Sequence, residues 1–267
     1  MFIVGELINS SRKKIKENME KRDAGYFRDL AKKQVEAGAS YVDINSSTMM
    51  EKEREVLQWL IENIESVVDA PLSIDTPDQA VMEFGLSLTK NGQPMLNSLT
   101  AEPGRYEKLI PLITKYNAKV VALCIDEHGM PESADARVKA AETLVGLLTD
   151  AGVPHGDIYI DPVITPVSTS DNAGLDVTNA TRIIKQKYPD VNMICGLSNI
   201  SFGLPNRKIL NRVFMIQTLT MGMDGFILDP LDNKLMGDLY GAQALLGQDK
   251  YCTNYLTVHR NGLYEQP

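Results

Sequence analysis

Short apolar runs rich in β-branched residues recur along this chain, and each gives way to a longer stretch whose apolar residues fall three or four apart. The runs occupy 2–6, 41–45, 72–75, 94–97, 120–124, 158–161, 193–197 and 225–228. The helical stretches lie near 26–38, 52–68, 77–89, 103–117, 133–151, 174–188, 206–221 and 232–247. Strand and helix alternate eight times, which is the order of a closed α/β barrel of the (β/α)8 type. The rival is an open doubly wound sheet, which usually carries a G-x-G-x-x-G or G-x-x-x-x-G-K-[ST] loop after its first strand. Here that place reads Leu7-Ile8-Asn9-Ser10-Ser11, which favours the barrel.

Helix boundary signals agree with the periodicity. Thr76 before Pro77 reads as an N-cap and first helical residue, Ser133 with Asp135 opens another helix, and Gly38 and Gly152 stand where C-caps belong. There is no Pro/Gly/Ser-rich linker and no shift in composition, so 1–267 is expected to form one domain, with an irregular tail from about Tyr251. Trp59, Cys124 and Cys195 read as packing residues.

Composition narrows the function. Apolar residues make up 43% and charged residues 23%, an ordinary globular balance. Lys and Arg number 27 against 35 Asp and Glu, a formal charge of −8, which argues against a nucleic-acid surface or an anionic membrane. No apolar run approaches the roughly 18 residues that span a bilayer, and no basic signal segment follows Met1, so a cytoplasmic location is expected. The three cysteines are scattered, and His128, His155 and His259 form no H-E-x-x-H, so neither a disulfide framework nor a metal site is expected.

The C-terminal ends of barrel strands meet at one mouth, where a polar side chain ending an apolar strand is placed for chemistry. Strand ends here carry Glu6, Asn9, Asp43, Asn45, Asp75, Asn97, Asp126, Glu127, Asp161, Ser198 and Asn199. Any one of them could be a helix cap or turn residue. A ring of acceptors is costly to desolvate unless a ligand supplies donors, so it suggests a ligand rich in N–H groups. A phosphosugar site is disfavoured, because the eighth strand runs into Asp229-Pro230-Leu231-Asp232, which would repel an anion. A heteroaromatic with amide and amine donors, such as a pterin, fits better.

From Gly5-Glu6-Leu7-Ile8-Asn9 through Asp43-Ile44-Asn45, Ser73-Ile74-Asp75-Thr76, Leu96-Asn97-Ser98, Tyr159-Ile160-Asp161-Pro162 and Gly196-Leu197-Ser198-Asn199-Ile200-Ser201 to Asn206-Arg207, the chain resembles the pterin-binding methyltransferases. It is most similar to the methyltetrahydrofolate:corrinoid protein methyltransferases, a group that includes the folate module of cobalamin-dependent methionine synthase. The resemblance implies a TIM barrel that moves a methyl group between N5 of tetrahydrofolate and the cobalt of a corrinoid (cobalamin) on a partner protein. It leaves open whether 5-methyltetrahydrofolate or tetrahydrofolate is the starting substrate, and it implies a homodimer. No D-x-H-x-x-G stretch is present, so the corrinoid is expected on a separate corrinoid-binding protein.

Carried over by position, the resemblance makes Asp75, Asn97 and Asp161 partners of the pterin donors, with Gly196 and Ser198 lining the pocket. Asn199 matches the residue whose amide faces N5, and it is the expected catalytic residue. Asp43 is a supporting or water-ordering carboxylate. Asp126, in Asp126-Glu127-His128-Gly129, belongs to a loop like that of methionine synthase, and Arg207, directly after the seventh-strand loop, is the candidate functional cation. Ser46-Ser47 departs from the small Gly-containing turn of relatives. Two alternatives remain: a dihydropteroate synthase-like enzyme, whose first-strand loop usually reads differently, and a non-catalytic folate-binding subunit.

Overall fold

A computed structural model describes residues 1–263 of the chain. Its strands are β1 (Phe2–Asn9), β2 (Tyr41–Asn45), β3 (Leu72–Asp75), β4 (Met95–Thr100), β5 (Lys119–Leu123), β6 (Ile158–Asp161), β7 (Asn192–Gly196) and β8 (Gly225–Leu228). They close in chain order into one parallel barrel, β1 pairing with both β2 and β8. The helices are α1 (Lys13–Glu20), α2 (Ala24–Glu36), α3 (Glu53–Glu65), α4 (Gln79–Leu88), α5 (Pro103–Lys115), α6 (Ala134–Asp150), α7 (Ala173–Lys187), α8 (Arg207–Thr220), α9 (Asn233–Leu245) and α10 (Thr253–Arg260). The expected TIM barrel is the fold.

Strand parity decides which residues can reach the mouth, because successive side chains point to opposite faces. Val42, Ile44, Leu72, Ile74, Leu96, Ile160 and Cys195 are buried in the large core that also takes in the helices. Val4, Tyr41, Met95, Val121, Tyr159 and Ile194 form a second buried cluster, the filling of the barrel itself. Phe2 stacks at its floor, with ring centroids 5.2 Å from Tyr41 and 4.5 Å from Tyr159. Residues two further along from this filling share its face: Asp43 above Tyr41, Asn97 above Met95, Asp161 above Tyr159 and Gly196 above Ile194. The parity that buries an apolar floor thus delivers polar groups to the mouth.

The first strand runs three residues past its expected end at Glu6. Its register with β2 shifts between Gly5 and Ile8, and Gln34 of α2 fills the gap, its Oε1 accepting from the Leu7 N–H at 3.1 Å. A Cβ at residue 5 would lie 2.5 Å from that oxygen, so any larger residue there must push the Gln34 amide aside. The bulge lets the strand continue while turning Glu6 into the mouth.

Several expectations are corrected. The helix after β3 starts at Gln79, and its N-cap is Asp78, whose side chain accepts from the Val81 N–H. Thr76 instead accepts from the Asp78 N–H and donates to Glu53 Oε1 at 2.6 Å. The cap at Ser133 is as expected, accepting from the Ala136 N–H. Gly38 and Gly152 follow their helices at φ +104° and +82°, the left-handed conformation that glycine adopts freely. The tail is not irregular throughout, since α10 covers Thr253–Arg260, while the expected tail residues 264–267 lie outside the described residues. The helix α1, absent from the expected eight, is mostly polar and buries only Ile15 and Met19. Trp59 packs edge-on against Phe27 at 5.7 Å, and Cys124 and Cys195 are buried, as expected of packing residues. Among the described residues, no helix is long and apolar enough to cross a membrane.

Candidate active site

Parallel register sets side by side the residues that end β2, β3 and β4, pairing Asp43 with Ser73 and Asp75 with Asn97. Asp43 Oδ1 accepts from Ser73 Oγ at 2.6 Å and from Asn97 Nδ2 at 3.1 Å. Asp75 Oδ2 accepts from Asn45 Nδ2 at 2.8 Å. Asn45 is itself held by Ser47, whose N–H and hydroxyl both donate to Asn45 Oδ1, at 3.1 and 2.8 Å. The Ser46-Ser47 departure therefore has a local use, which is to orient the amide that orients Asp75.

These carboxylates are electrostatically unusual. Burial pushes Asp43 well above the ordinary carboxylate range, and the neighbouring Asp75 charge adds to it. Burial also raises Asp75, against the lowering effect of the Asn45 hydrogen bond. Each loses hydration that its single-sided partners do not replace, so the ionised form wants a further donor from above. Among the described residues, the second carboxylate oxygen of Asp75 and the side-chain Oδ1 of Asn97 accept no hydrogen bond. Asp75 does not cap a helix.

Asp161, ending β6, is 6% exposed. Its Oδ1 accepts from the Val163 N–H at 2.7 Å, and the Gly196 backbone N–H also donates to it. Burial raises its pKa to about 6, with these two backbone bonds and the charge of Arg137 opposing.

On the far side, β7 leads into a tight helical turn, Leu197–Ser201. Ser198, Asn199 and Arg207 line a cavity of about 520 Å³ that also touches Glu6, Arg12, Lys208 and Asp229. Arg207 Nη2 donates to the Ser198 carbonyl at 2.6 Å, and its Nε donates to Ser201 Oγ at 3.1 Å, so α8 stiffens the turn. A Cβ at Gly196 would stand 3.3 Å from Asn199 Nδ2, and the missing side chain is what gives that amide its place. Among the described residues, nothing hydrogen-bonds the Asn199 side chain.

The structure thus brings the expected residues into an acidic network of Asp43, Asn97 and Asp75, an Asp161–Gly196 pair, and a wall of Ser198, Asn199 and Arg207. Asp126 joins none of these. Its Oδ1 accepts from the His128 N–H and its carbonyl from the Gly129 N–H, both at 2.9 Å, which closes the turn after β5.

Sequence reasoning left out Arg12, which is ion-paired with Glu6, and Arg137, whose side chain is only 1% exposed. Glu6 is raised by burial and lowered by Arg12, while Asp229 raises it further. A signal for Arg137 existed: it occupies the position of α6 whose helical successors Ala140, Ala141, Leu144, Val145 and Leu148 are buried. Asp229 and Asp232 do not simply present anions, because Asp232 caps α9 and pairs with Lys208 at 2.9 Å.

A closed parallel barrel with hydrogen-bond acceptors and an unpaired amide at its mouth leaves several acceptors open toward that mouth. The chain matches the family described as pterin binding enzyme over residues 5–229. It is 33% identical, over 98% of its own length and 97% of the relative's, to the methylcorrinoid:tetrahydrofolate methyltransferase of Eubacterium limosum. It is 31% identical to the methionine synthase of Mycobacterium tuberculosis over 85% of this chain, spanning 20% of that protein. The fold is similar to dihydropteroate synthase of Xanthomonas albilineans, with a TM-score of 0.68 at 17% identity, covering 93% of each chain. The same holds for 7,8-dihydropteroate synthase of Vibrio fischeri, with a TM-score of 0.65 at 17% identity over 92% and 93%. The chain belongs to the pterin-binding enzyme family, as a methyltransferase.

Proposed function

We propose that this enzyme moves a methyl group between N5 of tetrahydrofolate and the cobalt of a corrinoid carried by a partner protein, physiologically toward the folate. The observation that carries this reading is the unpartnered Asn199 amide, set across the mouth from a raised-pKa acidic network in a pterin-binding barrel. The direction is supported by the relative matched over nearly its whole length, whose name runs from methylcorrinoid to tetrahydrofolate.

In this reading Asp75, Asn97 and Asp161 receive the pterin N–H donors, with Asp43 fixing Asn97 from behind. Gly196 and Ser198 line the ring, Arg207 faces the anionic folate tail, and Asp126 shapes the rim. A methylated corrinoid on a docked carrier would supply the methyl group: the N5 lone pair would form the new bond, the cobalt–carbon pair would stay with cobalt, and the N5 proton would pass to solvent. Asn199 holds N5, its carbonyl accepting the N5–H so that the nitrogen lone pair points outward. In reverse, its N–H donates to the electron pair that develops on the departing N5, which takes up a proton to become the N5–H amine. A dihydropteroate synthase-like reading has less support, since those structures are only 15% to 17% identical. A silent folate carrier would have no use for the free amide.

The reading includes one domain over 1–267 acting as a cytoplasmic homodimer. The dimer is supported by an apolar row on α8, where Ile209, Val213 and Ile216 are 54%, 51% and 40% exposed. The deciding experiment mixes the enzyme with tetrahydrofolate and methylated corrinoid, free or protein-bound, and follows the cobalt absorption together with 5-methyltetrahydrofolate formation. Absence of transfer in either direction with both corrinoid forms would overturn the proposal.

A further inference from the structure

The loop after β6 holds a β-branched residue in a conformation that valine avoids. Val163 has φ +60°, a value at which its side chain crowds the following peptide. Such a backbone persists only where its surroundings over-determine it. Here the Val163 carbonyl is held by one side chain and its N–H by another. Arg137 of α6 donates to the Val163 carbonyl from both Nε, at 3.3 Å, and Nη2, at 3.1 Å. Its Nη2 also donates to Thr165 Oγ1 at 3.3 Å, and its Nη1 to the Ser133 carbonyl at 3.0 Å, tying the loop to the N-terminus of α6.

The other end of the same residue is functional. The Val163 N–H donates to Asp161 Oδ1 at 2.7 Å, so the residue that Arg137 holds by its carbonyl presents its N–H, on the preceding peptide unit, to the carboxylate. A guanidinium at 1% exposure is expensive to keep, and its hydrogen-bonded partners here are all neutral. The carboxylates whose charge it feels are Asp161 and Asp176. A neutral donor could cap the loop; a buried cation also opposes the effect of burial on Asp161.

We propose that Arg137 is a positioning residue for the pterin acceptor Asp161: it clamps Val163 in its left-handed conformation and so aims the N–H that orients that carboxylate. This rests on the reading of Asp161 as a pterin acceptor. The titratable groups facing Asp161 are the Cys124 thiol after β5 and the Cys195 thiol on β7, both buried and pushed up by desolvation; among the described residues, Arg137 from α6 is the only cation acting on it. Removing the guanidinium charge therefore takes away the cation that, among the described residues, favours the ionised form of Asp161.

The test measures tetrahydrofolate affinity by titration from pH 5 to 8 for Arg137→Lys, Arg137→Gln, Val163→Gly, the Arg137→Lys/Val163→Gly pair and Asp161→Asn. Arg137→Lys keeps the charge but loses the two-pronged grip, and affinity should fall about tenfold. Val163→Gly in that background removes the strain and should recover most of the loss. Arg137→Gln should in addition move the acid limb of binding to higher pH, which a purely structural lesion would not do. Wild-type affinity in Arg137→Lys, or no recovery with glycine, overturns the inference, and this pair decides even if Arg137→Gln does not fold. If Asp161→Asn binds as the wild type does, it is the assignment of Asp161 that fails. Weak binding by Asp161→Asn beside a wild-type-like Arg137→Lys would sink the Arg137 proposal alone.

Discussion

Asn97 Nδ2 reaches Asp43 Oδ1 at 3.1 Å across the intervening strand β3, where Ser73 donates to the same oxygen at 2.6 Å. One carboxylate oxygen thus sets the orientation of the Asn97 amide and leaves its carbonyl facing the mouth. Asp43→Ala would strand a buried hydroxyl and an amide donor, and should destabilise the barrel by about 2–4 kcal/mol in urea unfolding. Asp43→Asn should cost far less, because burial already pushes the native carboxyl toward its neutral form. Equal losses for the two variants would mean that the charge of Asp43 matters in the folded state.

Asn199→Ala should lower the single-turnover rate of methyl transfer by about 10²-fold to 10³-fold while changing folate affinity by only about threefold. The amide makes no hydrogen bond within the described residues, so its removal leaves no broken network to destabilise the fold. Parallel losses in rate and affinity, compared by rapid quench and titration, would take Asn199 out of the chemical step.

Gly196→Ala tests the same amide from below. The added methyl would meet Asn199 Nδ2 at 3.3 Å, at a backbone conformation with φ −72° that alanine tolerates. The side chain must shift by a few tenths of an ångström, and the expected result is about a tenfold slower transfer with little change in Tm. An unaltered rate would show that the amide has room to spare.

Asp161 makes the protein pH-dependent in a defined sense. Burial raises its carboxyl to about 6 from the ordinary 3.8, so between these values the native state binds more protons than the unfolded chain. Stability from this group is therefore full below pH 3.8 and is lost as pH rises through about 6. Asp161→Asn should stabilise the enzyme above that pH, by on the order of 2 kcal/mol, while weakening folate binding. Wild-type folate binding should decline on acidification through the same range, as the acceptor is protonated. Denaturation and titration at pH 5 and 8 check both halves.

The elements that hydrophobic periodicity revealed were those whose burial is set by local pattern. The runs at 72–75, 158–161 and 225–228 coincide with β3, β6 and β8. The helix α1 was missed because Lys13–Glu20 is mostly polar and buries two side chains. Thr76-Pro77 misled because a Thr-Pro pair opens a helix only if the chain turns at once. Here Thr76 is drawn to Glu53, and Asp78 becomes the cap.

By itself the sequence determined the alternation of strand and helix, and with it a barrel whose strand-end acceptors share one rim. It did so because parity and helical spacing are properties of consecutive residues. Only the tertiary structure decided which of those acceptors are coupled. The Asp43–Asn97 contact spans 54 positions, and the grip of Arg137 on Val163 spans 26. Such contacts depend on inter-strand register and on which helix packs over which strand. The same holds for electrostatics: the burial that raises Asp43 and Asp161 follows from how strands and helices close around them, not from their place in the chain.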